Sequence, residues 1–211
     1  KILNFYERKK IDGVGIEINE VGQAKSIGWD ENDRGQFEEE TYIFGATAGA
    51  SLFRKSDFIK VGLFDESYFM YCEEVDFAFR HQFLGYKSIY TPYAIAYHKH
   101  KATSKKFPQK IEYWQFRNMT QTIIKDFPTS IIFKDLRWLK IILVHINTIF
   151  YQIKNGFFWP PAVADIWLIF NIGGLLKKRK IIQKSRKVSD EYIESFLNTK
   201  RITFYGLRPR E

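Results

Sequence analysis

A run of 20 residues, Phe157 to Leu176, carries a single charge, Asp165, and it limits the fold more than any other feature of the chain. A stretch of that length crosses a bilayer, lies along its surface, or packs against another layer of the protein. Asp165 and Asn171 inside the run, with Pro160-Pro161 and Gly173-Gly174, make a poor lipid-spanning helix. The preceding helical period, Trp138 to Ile153, is interrupted by Lys140 and His145. The expectation is a helix lying in a membrane interface or packed on a globular domain. Directly behind it, Lys177 to Lys187 (KKRKIIQKSRK) holds seven basic residues in eleven, a site suited to anionic headgroups.

Charge divides the chain in the same place. Residues 1–133 carry 18 Lys/Arg against 18 Asp/Glu, whereas residues 134–211 carry 15 against 6. A basic tail attracts phosphate, whether of lipid or of nucleic acid. The aromatics beside the patch belong to the apolar helices and form no interleaved stacking platform, so a nucleic-acid partner is not expected. Cys72 is the single cysteine, which excludes an intrachain disulfide and fits a reducing compartment. The chain opens on Lys1 with KILNFYERKK, which reads as the middle of a domain and gives the expectation of a fragment.

The first 43 residues alternate short β-like runs, Ile2 to Tyr6 and Val14 to Ile18, with turns at Asp12-Gly13 and Glu20 to Gln23. Asp30 to Glu40 is an acidic exposed loop. A small-residue run, Gly45 to Ser51, leads to a short helix with Ser56 as its N-cap and Gly62 as its stop. Val75, Ala78, Phe79 and Phe83 recur at helical spacing up to Gly85. Lys87 to Tyr90 and Ala94 to His98 read as strands, and Ile111 to Phe127 as a helix stopped by Pro128.

Glu73-Glu74-Val75-Asp76 puts three carboxylates at a helix start. Asp76 and Arg80, at i and i+4, suit an ion pair. Glu74 points about 100° away from Glu73 and, near the first-turn amides, stays ionised, so it can accept a proton from a hydroxyl. Acidic residues also favour helix starts for stability alone, and the residues by themselves leave both readings open. His98 ends an apolar strand and could ligate a divalent cation or serve as an ordinary hydrogen-bonding residue; His100 is a second candidate. Cys72, beside two glutamates that disfavour its thiolate, reads as packing. No zinc-type Cys/His spacing, P-loop or G-x-S-x-G elbow occurs.

Four blocks in order, the small-residue run ending GASLFRK, VGLFDESYFMYCEEVDFAFR, LGYKSIYTP and AIAYH, resemble the second half of the catalytic domain of family 2 glycosyltransferases of the rhamnosyltransferase-like group. The resemblance is specific over residues 45–98. It implies an α/β fold: a partial GT-A mixed sheet with helices in residues 1–133, on the acceptor side, followed by an α-helical extension in 134–211. By position it implies that Glu74 is the catalytic base, where the family usually has Asp. It also implies that Glu73 and Asp76 shape the acceptor site, that Gly45, Ala46 and Gly49 line the substrate cleft, and that His98 ligates Mn²⁺ or Mg²⁺ on the donor diphosphate. Close backbone packing is the alternative role for the small residues.

The implied activity is inverting, metal-dependent transfer from a nucleotide-sugar donor to a hydroxyl of a glycan or lipid-linked acceptor in cell-wall or polysaccharide synthesis. From the apolar run and the basic tail, the expected location is cytoplasmic, peripheral on the inner face of the membrane. No Asp-x-Asp motif occurs in these residues, so the chain alone is expected to be inactive. A non-catalytic, membrane-associated scaffold module is the competing expectation.

Overall fold

A computed structural model describes residues 1–99, 106–199, 202 and 203, so His100 lies outside the described residues. Among the described residues, three small sheets and seven α-helices make a mixed α/β fold. Strand β1 (Ile2–Asn4) pairs antiparallel with β2 (Ile11–Gly13) and parallel with β7 (Ala96–His98), which sets His98 beside Asn4. Strand β3 (Ile16–Asn19) pairs with β4 (Ala24–Ser26), and β5 (Thr41–Ile43) with β6 (Ser88–Tyr90). The β3–β4 turn is shaped by Asn19, whose side-chain oxygen accepts from the amides of Val21 and Gln23.

Helix α1 (Lys55–Val61) has Arg54 as its N-cap, two residues earlier than the expected Ser56, and stops where expected: Gly62 takes the left-handed φ of 99°. Helix α2 (Glu73–Phe83) follows. Its apolar face, Val75, Ala78, Phe79 and Phe83, packs on Ile16, Ile18 and Phe44 in the principal core. Gly45 continues from Phe44 directly under α2. A Cβ at this position would sit 2.4 Å from the Cβ of Ala78, so the packing role is the one the structure gives Gly45. Gly45→Ala is expected to push α2 outward and lower stability by about 1–3 kcal/mol. Thermal or urea unfolding checks this, and an unchanged midpoint would remove the close-approach argument.

Helix α3 (Pro108–Asp126), α4 (Thr129–Phe133), α5 (Arg137–Lys154) and α6 (Trp159–Lys184) form the second layer. Helix α6 lies along α3 and continues through the first part of the basic run. Helix α7 (Asp190–Glu194) and β8 (Leu197–Asn198) then return to the first layer. Strand β8 pairs parallel with β3, while Ile182, Ile193 and Leu197 enter the same core as α2. Helix α5 is tied down at its start by Arg137 and Lys140, which reach the carboxylate of buried Glu20 at 2.9 and 2.8 Å.

Helix α3 is polar where most helices are apolar. Arg117, Asn118, Gln121, Thr122, Lys125 and Asp126, spaced three and four apart along one side, are all buried. Five of them, all but Thr122, take part in the site below.

Candidate active site

The segment entering α2 is strained. Phe69, Tyr71 and Cys72 have φ of 61°, 68° and 63°, left-handed values that side chains with a Cβ adopt at a cost of roughly 1–2 kcal/mol each. Such geometry persists where the surroundings hold it, and it concentrates at functional sites. Here the holding group is Asn118 of α3. Its amide nitrogen donates to the carbonyls of Tyr68, Met70 and Tyr71 at 3.0, 2.7 and 2.8 Å. Its own oxygen accepts from Arg117 Nε at 2.8 Å and from Gln121 at 3.2 Å, so its orientation is fixed. Arg117 adds bonds to the carbonyls of Ser67 and Tyr68 at 2.7 and 3.0 Å.

Beneath the helix start lies a buried charge network. Asp76 is fully buried: one oxygen accepts from Arg80 at 2.6 Å and the other from Lys125 at 2.5 Å. Lys125 also meets Asp65 at 2.6 Å, and Asp65 meets Lys178 of α6 at 2.7 Å. Burial opposes ionisation of Asp65, but Lys125 and Lys178 hold it well below the usual carboxylate range. Burial, and then Asp76, push Asp126 well above that range. Asp76 therefore underpins the site from inside, sealed from any ligand by Arg80 and Lys125.

On this base sit Glu73 and Glu74. Their carboxyls interact directly, although the 100° offset of successive helix positions separates their Cβ atoms. One oxygen of each, Oε2, is buried and has no hydrogen-bond partner among the described residues. Burial and then the neighbouring Glu73 push the Glu74 carboxyl up to about 7. Burial likewise raises Glu73. This corrects the expectation that helix-start amides keep Glu74 ionised: desolvation beside a like charge outweighs them. A carboxyl that titrates near neutrality takes up and releases protons readily at working pH. Cys72 behaves as packing, its thiol raised by burial first and by Glu74 and Glu73 after it.

Glu74 and Ala78 share one helix face, and Ala78 meets Gly45, so the chain leaving Gly45 begins one turn from Glu74. That chain, Ala46 to Ser51, is irregular and increasingly exposed. It runs over the first sheet, with Thr47 near Gly13 and Gly49 in contact range of Ile2. Strand β1 in turn carries β7 and His98. The fold thus links Glu74, the Ala46–Gly49 loop and His98 in spatial sequence, while Gly45 and Asp76 lie in the interior.

His98 Nδ1 lies 2.7 Å from Asp12 Oδ2. A carboxylate at one ring nitrogen is what orients an imidazole that binds metal through the other. Among the described residues no three His, Cys, Asp or Glu side chains gather as a metal cage. With Asp12 on Nδ1, the pair would offer a metal one ligand, the other ring nitrogen of His98, and substrate phosphates and water would have to complete the shell. A cavity of about 290 Å³ beside the β3–β4 hairpin, lined by residues including Glu17, Lys25 and Trp29, contains none of these groups.

Sequence reasoning missed Asn118, Arg117 and Asp12. The buried polar periodicity of α3 was a usable signal for the first two; nothing local marks Asp12.

No family model matches the chain, and no solved structure matches it. Over 79 residues it is 32% identical to Rhamnosyltransferase WbbL of Escherichia coli (strain K12), a match covering 37% of this chain and 30% of that protein. The chain thus spans less than a third of that relative's length in the matched region. The partial similarity points to a glycosyltransferase.

Proposed function

We propose that this chain is the acceptor-side part of an inverting, family 2, GT-A-type glycosyltransferase, with Glu74 as the base that deprotonates the acceptor hydroxyl. The observation that carries the proposal is Glu74 itself: a largely buried carboxyl pushed up to about 7, at the mouth of a strained loop clamped by Asn118. The similarity to a rhamnosyltransferase supplies the reaction class.

In the proposed step the acceptor O–H proton passes to Glu74 while the oxygen forms a bond to the anomeric carbon. The bond from that carbon to the donor diphosphate breaks, and its electron pair leaves with the nucleoside diphosphate. A single displacement inverts the anomeric centre. Glu73 keeps Glu74 near neutrality and helps shape the acceptor pocket, bordered by Ala46 and Gly49. His98, oriented by Asp12, would join diphosphate oxygens in holding Mn²⁺ or Mg²⁺, which when bound offsets the charge growing on the leaving group.

The test is transfer from a panel of nucleotide-sugars to glycan and lipid-linked acceptors, with the chain assayed alone and joined to a donor-binding half. Glycosylated product of inverted configuration, read by mass spectrometry and NMR, is expected from the joined form. Retained configuration would contradict the single displacement, and absence of transfer from every donor would contradict the proposal itself.

A further inference from the structure

Helix α5 is inside out. The side it turns to the protein is mostly polar: Arg137, Thr148 and Gln152 are buried with a single apolar companion, Val144. Gln152 donates to Glu112 at 3.1 Å, and His145 meets Asp165 of α6 at 3.2 Å. The side it turns outward is apolar. Leu139, Ile142, Leu143, Ile146, Phe150 and Ile153, at helical spacing, are all exposed, Phe150 to 68%. Helix α6 forms a hairpin with α5 and extends the face with Val163, Ile166, Ile169 and Phe170, the last 84% exposed. A helix in water places its polar residues outward; this pair places its apolar ones there. Contiguous apolar surface of this extent marks a contact with something other than water.

We infer that the outer face of the α5–α6 hairpin seats on an anionic lipid bilayer. Charge complementarity selects that occupant. Of the seven cations in the basic run, Lys178, Arg179 and Arg186 are spent inside the protein, on Asp65, on the carbonyl of Ile124 and on Asp190. Lys177, Lys180, Lys184 and Lys187 remain exposed at the end of α6. They draw in anionic headgroups, and they repel a second copy of the same cationic face. Trp138 and Trp159, each partly exposed at the start of its helix, are the residue type that settles at the headgroup level.

The face lies on the bilayer rather than crossing it. By length and composition α6 could span. However, Arg117 packs over the Trp167 ring at 4.6 Å, Arg179 donates to the Ile124 carbonyl at 2.8 Å, and Gln183 donates to the Asp126 carbonyl at 2.8 Å. These contacts hold α6 lengthwise against polar α3, which a spanning helix would have to carry into hydrocarbon. The binding surface is therefore the apolar stripe together with four lysines, not the basic run as a whole. This inference stands apart from the assignment of Glu74.

The experiment is flotation of the 211-residue chain with vesicles of phosphatidylcholine, with and without phosphatidylglycerol. Binding is expected with phosphatidylglycerol and to be at least about 10-fold weaker without it. Phe150→Glu/Phe170→Glu, two exposed changes, should abolish flotation with an unchanged unfolding midpoint. Lys180→Glu/Lys184→Glu/Lys187→Glu should lower affinity for the anionic vesicles by about 100-fold or more. Failure to float with either vesicle, flotation untouched by both variants, or concentration-dependent dimerisation through this face without vesicle binding would each overturn the inference.

Discussion

Replacing Asp76 with alanine is expected to lower the unfolding free energy by about 3–5 kcal/mol, the usual cost of removing one partner from a buried ion pair. The size follows from what is left behind. Lys125, itself buried, loses one of its two salt-bridge partners and keeps Asp65, while Arg80 loses its carboxylate and keeps the carbonyls of Val61 and Leu63. Lys125 has no route to bulk water without opening the α2–α3 contact, whereas Arg80 is partly exposed. Against a total stability of roughly 5–15 kcal/mol for a domain, the change is severe. Urea unfolding of the two proteins measures it; a loss below about 1 kcal/mol would mean that the network is not a keystone of the fold.

The Glu74→Gln variant is expected to lose about 10²–10⁴-fold in kcat/KM, the range associated with removing a positioned acid or base. Glutamine keeps the shape and the helix start, so the loss belongs to the proton transfer. Stability moves the opposite way. Burial and Glu73 raise the folded-state pKa of Glu74 to about 7, above the ordinary 4.5. Between these values the folded protein binds more protons than the unfolded chain, so stability falls as pH rises through the window and levels off above it. Glu73, also raised, adds to the same slope, and the two titrate as a pair. Glu74→Gln should flatten much of that slope and leave the variant more stable than the parent above about pH 7.

The parts of the site carried by local pattern were legible in the sequence. The Asp76–Arg80 spacing, the apolar face of α2 and the stop of α3 before Pro128 each follow from helix geometry acting on neighbouring residues. The end of β7 at His98 was equally plain. Parts that depend on distant chain were not. Asp12 of β2 meets His98 of β7 across β1, 86 residues apart in sequence, and Asn118 finds the carbonyls of residues 68, 70 and 71 only once α3 has docked.

The left-handed backbone at Phe69, Tyr71 and Cys72 was invisible because bulky residues give no local sign of it. The ionisation of Glu74 was misjudged for the same reason: the helix-start amides are local, whereas the burial that overrides them is tertiary. Helix α6 runs on to Lys184 because Lys and Arg are good helix formers and α3 offers a surface to lie on, so the change in charge marks no change in structure.

The proposed transfer of the acceptor proton to Glu74 is tested by the pH dependence of kcat/KM for sugar transfer, comparing the parent with Glu74→Gln in the form that shows transfer. The account predicts that the parent rate rises with pH through about 7 and that the variant is slow and flat across the same range. A Glu74→Gln enzyme that transfers sugar at the parent rate with the parent pH profile would contradict it.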